Sequence, residues 1–154
     1  MGTVSRGERR GAGSTLPAMD VLWSATDPKT RRFSAAPVRS DSAALEDRVQ
    51  RLRKRRIRGY LEAEIPDTES PQLTMGFRGE YAVIHMIVEA PEPLSFLLLG
   101  DGSVPDEAYV QLPVMDELAR FYGDVVQEVE HAWHLMQAFL RTGRPDDLGE
   151  WRAL

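Results

Sequence analysis

Two neighbouring histidines are the residues of this 154-residue chain whose spacing is most suggestive of chemistry. His131 and His134 are three positions apart in a helix-like segment that also contains Glu128 and Glu130. That spacing places side chains on one helix face, where they could bind a metal ion or act as an acid–base pair. A zinc site needs three or four ligands, however, and His85 belongs to a distant segment. We therefore expect no catalytic residue, metal or cofactor, and keep a small metal-dependent enzyme using His131 and His134 as an alternative.

His85 lies inside the apolar segment Tyr81 to Val88, which has the length and β-branched content of a central strand. A histidine in such a strand is usually hydrogen-bonded within the sheet. The alternative is a contact that responds to pH near neutrality.

The carboxylates of the second half of the chain are candidates for binding rather than catalysis. Paired catalytic acids need environments that set different pKa values, and the sequence offers no partner to do so. A binding surface needs only a basic patch opposite. Trp151, Tyr109 and Tyr122 could supply its aromatic anchors or could equally belong to the core. The candidate partner-binding residues are Glu62, Glu64, Asp67, Glu69, Glu89, Glu92, Asp101, Asp106, Glu107 and Tyr109.

Charge is divided unevenly along the chain. Residues 1–58 contain 14 basic and 6 acidic residues, whereas residues 59–154 contain 5 basic and 18 acidic residues, a net charge of −13. A domain this acidic repels nucleic acid and attracts basic surfaces, so we expect a basic protein partner and no direct nucleic-acid contact. The basic stretch at residues 48–58 leaves a nucleic-acid-binding regulatory module as an alternative.

The cellular setting follows from what the sequence lacks. There is no cysteine, which fits a reducing compartment. No apolar run approaches the ~20 residues that span a membrane, and the arginine-rich beginning lacks the apolar core of a signal peptide. We therefore expect a cytoplasmic protein without membrane contact. The sequence does not predict an oligomeric state.

The elements that position these residues indicate an α+β fold: an antiparallel β-sheet meander with an N-terminal helix and a C-terminal helical segment packed on it. Residues 1–40 are predicted to be a flexible, largely disordered arm, and residues 41–154 a single domain. The first helix runs from Asp41 to Arg56, with Asp41 or Ser42 as its cap. Five strand-like segments follow, at residues 60–65, 72–77, 81–88, 95–99 and 108–112.

The C-terminal segment has apolar residues at steps of three to four from Val114 to Leu140, interrupted by Gly123. It fits either a helix bent at Gly123, or a short helix or strand followed by a new helix from Asp124 to Arg141. Asp124 and Gln127 could form a capping box for that second helix. Thr142-Gly143, with Pro145 shortly beyond, predicts where the helix ends.

Three segments in this order carry a family resemblance: Pro71-Gln72-Leu73-Thr74-Met75-Gly76, the strand Tyr81 to Val88, and Phe139-Leu140-Arg141-Thr142-Gly143-Arg144-Pro145 followed by Glu150-Trp151. Over residues 41–154 the chain resembles the first-numbered family of Imm immunity proteins from bacterial polymorphic toxin systems. The resemblance implies an α+β protein that binds and neutralises a cognate toxin. Toxins paired with this family are often nucleases or nucleic-acid deaminases, which need basic surfaces to hold their substrates.

Overall fold

The computed structural model describes residues 19–89 and 91–154, and within them the fold is α+β, as predicted. Within this part of the chain, the 3-10 turns Gly123–Val125 and Pro145–Leu148 accompany the helices and strands. The elements in chain order are β1 (Asp20–Thr26), β2 (Phe33–Asp41), α1 (Ser42–Lys54), β3 (Gly59–Glu64), β4 (Gln72–Arg78), β5 (Tyr81–Val88), β6 (Leu94–Leu98), β7 (Tyr109–Val114), β8 (Glu117–Tyr122), β9 (Gln127–Glu128), α2 (Val129–Thr142) and β10 (Trp151–Ala153).

The main sheet has the strand order β10-β6-β5-β4-β3-β1-β2, and β9 adds two residues beside β5. Every pair is antiparallel, and β3 to β6 are neighbours both in sequence and in space, so the predicted meander is confirmed. Residues of both helices and of one sheet face form a single core, since alternate strand residues point to the same side. Its fully buried members include Leu45 and Leu52 from α1, Met136 and Phe139 from α2, and Leu61, Met75 and Ile84 from the sheet.

The prediction that residues 19–40 belong to a loose arm is wrong. They form β1 and most of β2, and β1 lies inside the sheet between β2 and β3. Val21, Trp23 and Ala25 alternate into the core and are at most 5% exposed. β2 is an edge strand with mostly exposed side chains, so it lacks the apolar alternation that would reveal it. Residues 1–18, the rest of the predicted arm, lie outside the described residues.

The start of α1 and the end of α2 follow the local chemistry of their capping residues. Asp41 caps α1 by accepting a hydrogen bond from the Ala44 N–H (3.0 Å). Gly143 ends α2 with a φ of 69° and donates its N–H to the Phe139 carbonyl (2.7 Å). The beginning of α2 differs from the prediction, because Glu128 caps it and Asp124 lies in a 3-10 turn before it.

Of the two structures predicted for the segment around Gly123, the chain has a strand followed by a new helix. Residues 117–122 form β8, which pairs with β7 as a separate hairpin lying on the sheet face away from the helices. Gly76 and Gly123 permit the close packing, because an added Cβ would collide with the Pro113 carbonyl oxygen at Gly76 and with the Val104 and Pro105 carbonyl oxygens at Gly123. The last predicted strand therefore forms part of a hairpin that covers the sheet instead of extending it.

The C-terminal segment folds back beside β6. β10 pairs with β6, and Trp151 packs against the helix-side core while its indole N–H donates to the Pro145 carbonyl (3.0 Å). Among the described residues, neither helix is long and apolar enough to cross a membrane.

Candidate functional site

The antiparallel register separates the ten predicted binding residues into two groups. β3 and β5 end, and β4 and β6 begin, at the same end of the sheet. The first six candidates lie at or near this end, which we call the acidic end: Glu62, Glu64, Asp67, Glu69, Glu89 and Glu92. The other four follow β6 and lie toward the opposite end: Asp101, Asp106, Glu107 and Tyr109.

Part of the charge at the acidic end is neutralised within the chain. The Arg39 guanidinium contacts Asp67 at 3.0 Å and Asp20 at 2.7 Å. All three side chains are more than half exposed, so these ion pairs contribute little to stability. Arg39 also removes Asp67 as a free contact for a basic partner.

A row of polar side chains crosses the middle of the sheet face away from the helices. Ser24, Glu62, Thr74 and His85 are direct cross-strand partners on β1, β3, β4 and β5. The Tyr60 hydroxyl donates to Glu62 Oε2 (3.2 Å). The Thr74 hydroxyl is buried without a hydrogen bond of normal geometry, although it lies close enough to Tyr60 to lower the pKa of that phenol slightly. Sheet pairing thus assembles this row from four separate segments.

Burial shifts the pKa of two groups in this row, Glu62 and His85, and of Tyr60, which bonds to Glu62. It raises the pKa of Tyr60, with the Glu62 charge adding to the effect. It also raises the pKa of Glu62, although the Tyr60 hydrogen bond opposes the shift. It lowers the pKa of His85, whose ring packs edge-to-face on Phe121 of β8 with centroids 5.7 Å apart. The row is therefore biased toward uncharged side chains, as expected for groups partly removed from water.

The second group contains Tyr109, which is one of two exposed tyrosines that pair across a hairpin. Tyr109 and Tyr122 are cross-strand partners at the open end of the β7–β8 hairpin and are 47% and 50% exposed. Their rings are 5.9 Å apart, and the Arg120 guanidinium lies 4.7 Å from the Tyr109 ring centre. We call this the tyrosine surface, formed by Tyr109, Arg120, Tyr122 and the exposed carboxylates of Asp106 and Glu107.

The loop next to the tyrosine surface is held by backbone hydrogen bonds. The Gly100 N–H donates to the Asp124 carbonyl (2.7 Å), and the Gly123 N–H donates to the Ala108 carbonyl (2.9 Å). Val104 is buried beneath it. These contacts fix the loop against the 3-10 turn that follows β8, so little conformational entropy remains to be lost on binding.

Asp101 has a structural task within this loop. Its carboxylate accepts hydrogen bonds from the Ser103 N–H (3.0 Å) and the Glu128 N–H (2.8 Å), just before α2. Partial burial alone would raise the pKa of Asp101, but these hydrogen bonds and the nearby His131 outweigh it, so the pKa lies below its usual value. Asp101 is therefore ionised at neutral pH.

The two histidines of α2 do not belong to a metal-binding cluster of the described residues. His131 and His134 are exposed, and the described parts of the chain contain no group of three or more histidine, aspartate or glutamate side chains placed to hold a metal ion. Glu130 forms an ion pair with Arg53 of α1 instead. That pair lowers the pKa of Glu130, chiefly through the hydrogen bond from Arg53.

The basic residues that follow α1 lie at the same end of the sheet as basic residues of the β1–β2 turn. The sequence did not predict this proximity. The β1–β2 turn and the α1–β3 loop lie at the same end of the sheet, opposite the acidic end, because Thr26 pairs with Phe33 and Tyr60 bonds to Thr26 (2.9 Å). This basic corner consists of Lys29, Arg31, Arg32, Arg55, Arg56 and Arg58, all exposed. Asp116 of the β7–β8 turn partly offsets it, 4.0 Å from Arg32.

Arg120 is the member of the tyrosine surface that the sequence did not predict, and Tyr122 was predicted only as one of three candidate aromatic anchors. The segment 117–122 fits a helix and a strand about equally by apolar spacing, so the cross-strand pairing of Tyr122 with Tyr109 was not available from periodicity. Comparisons of this chain with models of protein families, with curated proteins and with solved structures find no match.

Proposed function

We propose that this protein is a cytoplasmic immunity protein that binds a cognate bacterial toxin and neutralises it by protein–protein interaction. The proposal combines the family resemblance of residues 41–154 with one observation, the exposed tyrosine pair flanked by carboxylates. The chain itself performs no chemistry in this role. Its contribution is to cover the surface with which the toxin holds its substrate.

The tyrosine surface has the composition of an interaction centre. Tyrosine and arginine are enriched among the residues that contribute most to protein–protein binding. Tyr109 and Tyr122 are each about half exposed, so a large part of each aromatic side chain is available for contact with a partner. Their ring contact and the Arg120 guanidinium hold them in place before a partner arrives, which lowers the entropy cost of binding.

The charge of the domain favours a basic partner. Nucleases and nucleic-acid deaminases hold phosphates with lysine and arginine, and the net charge of −13 over residues 59–154 would accelerate their encounter with this chain. Glu107 and Asp106, two and three positions before Tyr109, are both exposed. The partner that best fits this surface is the substrate-binding face of such a toxin. The isolated toxin domain is the probe for this contact.

The test is protection of a bacterial host that expresses the small C-terminal toxin domain encoded beside this chain. Coexpression of the full chain should restore growth, and the two purified proteins should form a complex. Absence of such a neighbouring toxin, or failure to protect against it, would contradict the proposal.

Two variants locate the contact. Tyr109→Ala and Tyr122→Ala should each weaken the complex by roughly tenfold to a hundredfold, as loss of an anchor side chain does. Leu94→Ala is the matched control, because Leu94 is 51% exposed at the acidic end. If Leu94→Ala weakened binding and the tyrosine variants did not, the acidic end would be the binding surface.

A nucleic-acid-binding module is the second candidate, because the basic corner gathers six exposed cations from two loops. Titration with duplex DNA at low salt tests it, with Arg31→Glu and Arg56→Glu as variants. Binding that weakens steeply with salt and is lost in both variants would support this candidate. No binding at low salt would remove it.

A further inference from the structure

The basic corner is built from three loops that one aspartate holds together. The Asp116 carboxylate, in the turn between β7 and β8, accepts a hydrogen bond from the Phe33 N–H at the start of β2 (2.7 Å) and lies 4.0 Å from the Arg32 guanidinium. Its backbone carbonyl lies 3.5 Å from the guanidinium of Arg58, in the loop between α1 and β3. The β1–β2 turn, the α1–β3 loop and the β7–β8 turn are therefore held together as one surface.

Each of these loops contains a residue whose backbone conformation favours glycine. Arg31, Arg56 and Met115 have φ values of 62°, 56° and 57°. Arg56 follows α1, where the Ile57 N–H donates to the Leu52 carbonyl (2.9 Å), an arrangement in which glycine is the usual residue. Because glycine would adopt these conformations with less strain, local structure does not explain the side chains that are present. The corner thus carries two cations and a methionine at positions where they strain the backbone.

The positive charge of the corner is largely uncompensated. All six of its cations are exposed, and among the described residues only Arg32 takes part in an ion pair, the long contact with Asp116. Met115, the residue before Asp116, is 52% exposed. The corner therefore presents positive charge together with an exposed apolar side chain.

The complementary combination is found at the acidic end of the same chain. Glu69, Glu89 and Glu92 are exposed there, and Leu94, two positions after Glu92, is 51% exposed. The two ends are separated by the length of β1, which is seven residues or roughly 20 Å. Since salt screens charges over about 8 Å at physiological ionic strength, the acidic end cannot neutralise the corner of its own molecule.

We propose that the basic corner docks on the acidic end of a second copy of this chain. The exposed glutamates of one copy would face the cations of the other, and Leu94 would contact Met115. The two surfaces differ, so the association is head-to-tail and either continues or closes into a ring. Contacts between exposed charges are weak and screened by salt, so the assembly should be reversible.

A second copy fits the corner better than nucleic acid does. A phosphate backbone offers no apolar group to Met115, and as a polyanion it is repelled by the net charge of −13 over residues 59–154. The acidic end of a second copy offers Leu94 together with carboxylates, and the whole chain has a net charge of only −5. The partner that matches both properties of the corner is therefore another molecule of this protein.

The association leaves the tyrosine surface free. Tyr109 and Tyr122 lie at the open end of the β7–β8 hairpin and Met115 lies in its turn, so six residues of each strand, roughly 20 Å, separate the two surfaces. A toxin and a second copy can therefore be bound at the same time. This inference goes beyond the proposed function and does not depend on it.

Sedimentation velocity of the full chain over a range of concentrations tests the association. In 20 mM salt the mean mass should rise above that of the monomer as concentration increases, and in 500 mM salt it should return to that of the monomer. A monomer at every concentration in 20 mM salt would overturn the proposal, whether or not the chain protects against a toxin. Binding of duplex DNA to the corner of a chain that stays monomeric would also overturn it, and would assign the corner to nucleic acid.

Charge reversal at each surface defines the contact. One variant combines Arg31→Glu with Arg56→Glu, and the other combines Glu89→Lys with Glu92→Lys. Each should be monomeric alone in 20 mM salt, because like charges would then meet. An equimolar mixture should associate, since the unaltered surface of one variant meets that of the other. Assemblies in either variant alone, or monomers in the mixture, would overturn the proposal.

Glycine at the strained positions separates this role from a purely structural one. Arg31→Gly and Arg56→Gly should leave the free energy of unfolding unchanged or raised, because they relieve the positive φ. Each should nevertheless weaken the association by about twofold to fivefold, as loss of an exposed charge does. Glu150→Lys is the control, because Glu150 is exposed just before β10, at the sheet edge opposite β2. Unaltered association in both glycine variants would overturn the proposal.

Discussion

Glu62 shows how one sheet position perturbs a carboxylate. Burial raises its pKa above the usual 4.5. The folded state therefore retains the proton more strongly than the unfolded chain, and stability is lost as pH rises from about 4.5 through the raised value. Glu62→Gln should raise the free energy of unfolding at pH 7, and with it the thermal midpoint. The gain should be less than about 1 kcal/mol because the side chain remains in partial contact with water.

Thermal unfolding at pH 7 and pH 4 measures this effect. The advantage of Glu62→Gln should be largest at pH 7 and shrink toward pH 4, where the native carboxyl is also protonated. Glu69→Gln changes an exposed carboxylate at the same end and serves as the control. A benefit of Glu62→Gln that is equal at both pH values would contradict the explanation.

Gly76 marks the closest approach between the sheet and the hairpin. Ala at this position would drive its Cβ into the Pro113 carbonyl oxygen, and either strand would have to move. We expect Gly76→Ala to destabilise the protein by about 1–3 kcal/mol, the usual cost of overpacking, in urea unfolding. Gly79→Ala, with φ +61° but open space around it, tests backbone strain alone and should cost about 1 kcal/mol.

The residues that local chemistry predicts are those whose partners are close in sequence. Asp41 caps a helix three positions ahead, and Gly143 ends one four positions behind. Glu62, Thr74 and His85 are neighbours only because three strands align in one register. A sequence pattern shows each of them as an isolated polar residue in an apolar strand, so their row could not be predicted.

At the level of elements, β1 and β2 test the corrected domain boundary. Trp23 and Val38 are cross-strand partners, yet Trp23 is 5% exposed and Val38 is 44% exposed. The Trp23 indole N–H also donates to Ser40 (2.8 Å), and the Arg48 guanidinium lies 5.2 Å from its ring centre. Trp23→Ala should therefore cost about 3–5 kcal/mol, as loss of a large core side chain does.

Val38→Ala is the matched control in the same strand pair. An exposed edge position should change the free energy of unfolding by less than about 0.5 kcal/mol. Urea unfolding of both variants measures the difference. Equal, small effects would mean that residues 19–40 are the loose arm that their composition suggests.

The elements fall into two classes of predictability. β3 to β6 and α1 have strong apolar periodicity, and their bounds differ from the prediction by one or two residues at most ends. The β7–β8 hairpin and the start of α2 depend on packing against the rest of the chain. Gly123 interrupts a helical pattern because three backbone segments meet there, a reason that lies outside the segment itself.

At the scale of the whole molecule, charge should control the rate of association. Opposite net charges accelerate encounter, and salt screens this effect over about 8–10 Å at physiological ionic strength. The association rate constant with a basic toxin should fall by roughly tenfold between 50 mM and 500 mM salt, whereas the dissociation rate should change less. Stopped-flow measurements over that range test this, and a rate independent of salt would contradict it.

The α+β architecture could be predicted from the sequence because it rests on patterns repeated along most of the chain. The candidate binding surface could be predicted only in part. Asp106, Glu107 and Tyr109 are close in sequence, whereas Arg120 and Tyr122 come from the following strand, β8, and reach Tyr109 through the pairing of the hairpin. Composition revealed the excess of carboxylates but not that strand direction places them at opposite ends.

The basic corner and the acidic end lie at opposite ends of strands β1 and β3. This separation gives the molecule a permanent electric dipole in addition to its net charge. In very dilute buffer the positive corner of one molecule attracts the negative end of the next, so solubility should rise when salt is first added. The electric field of a charged partner would also exert a torque on this dipole and orient the protein before the two surfaces touch.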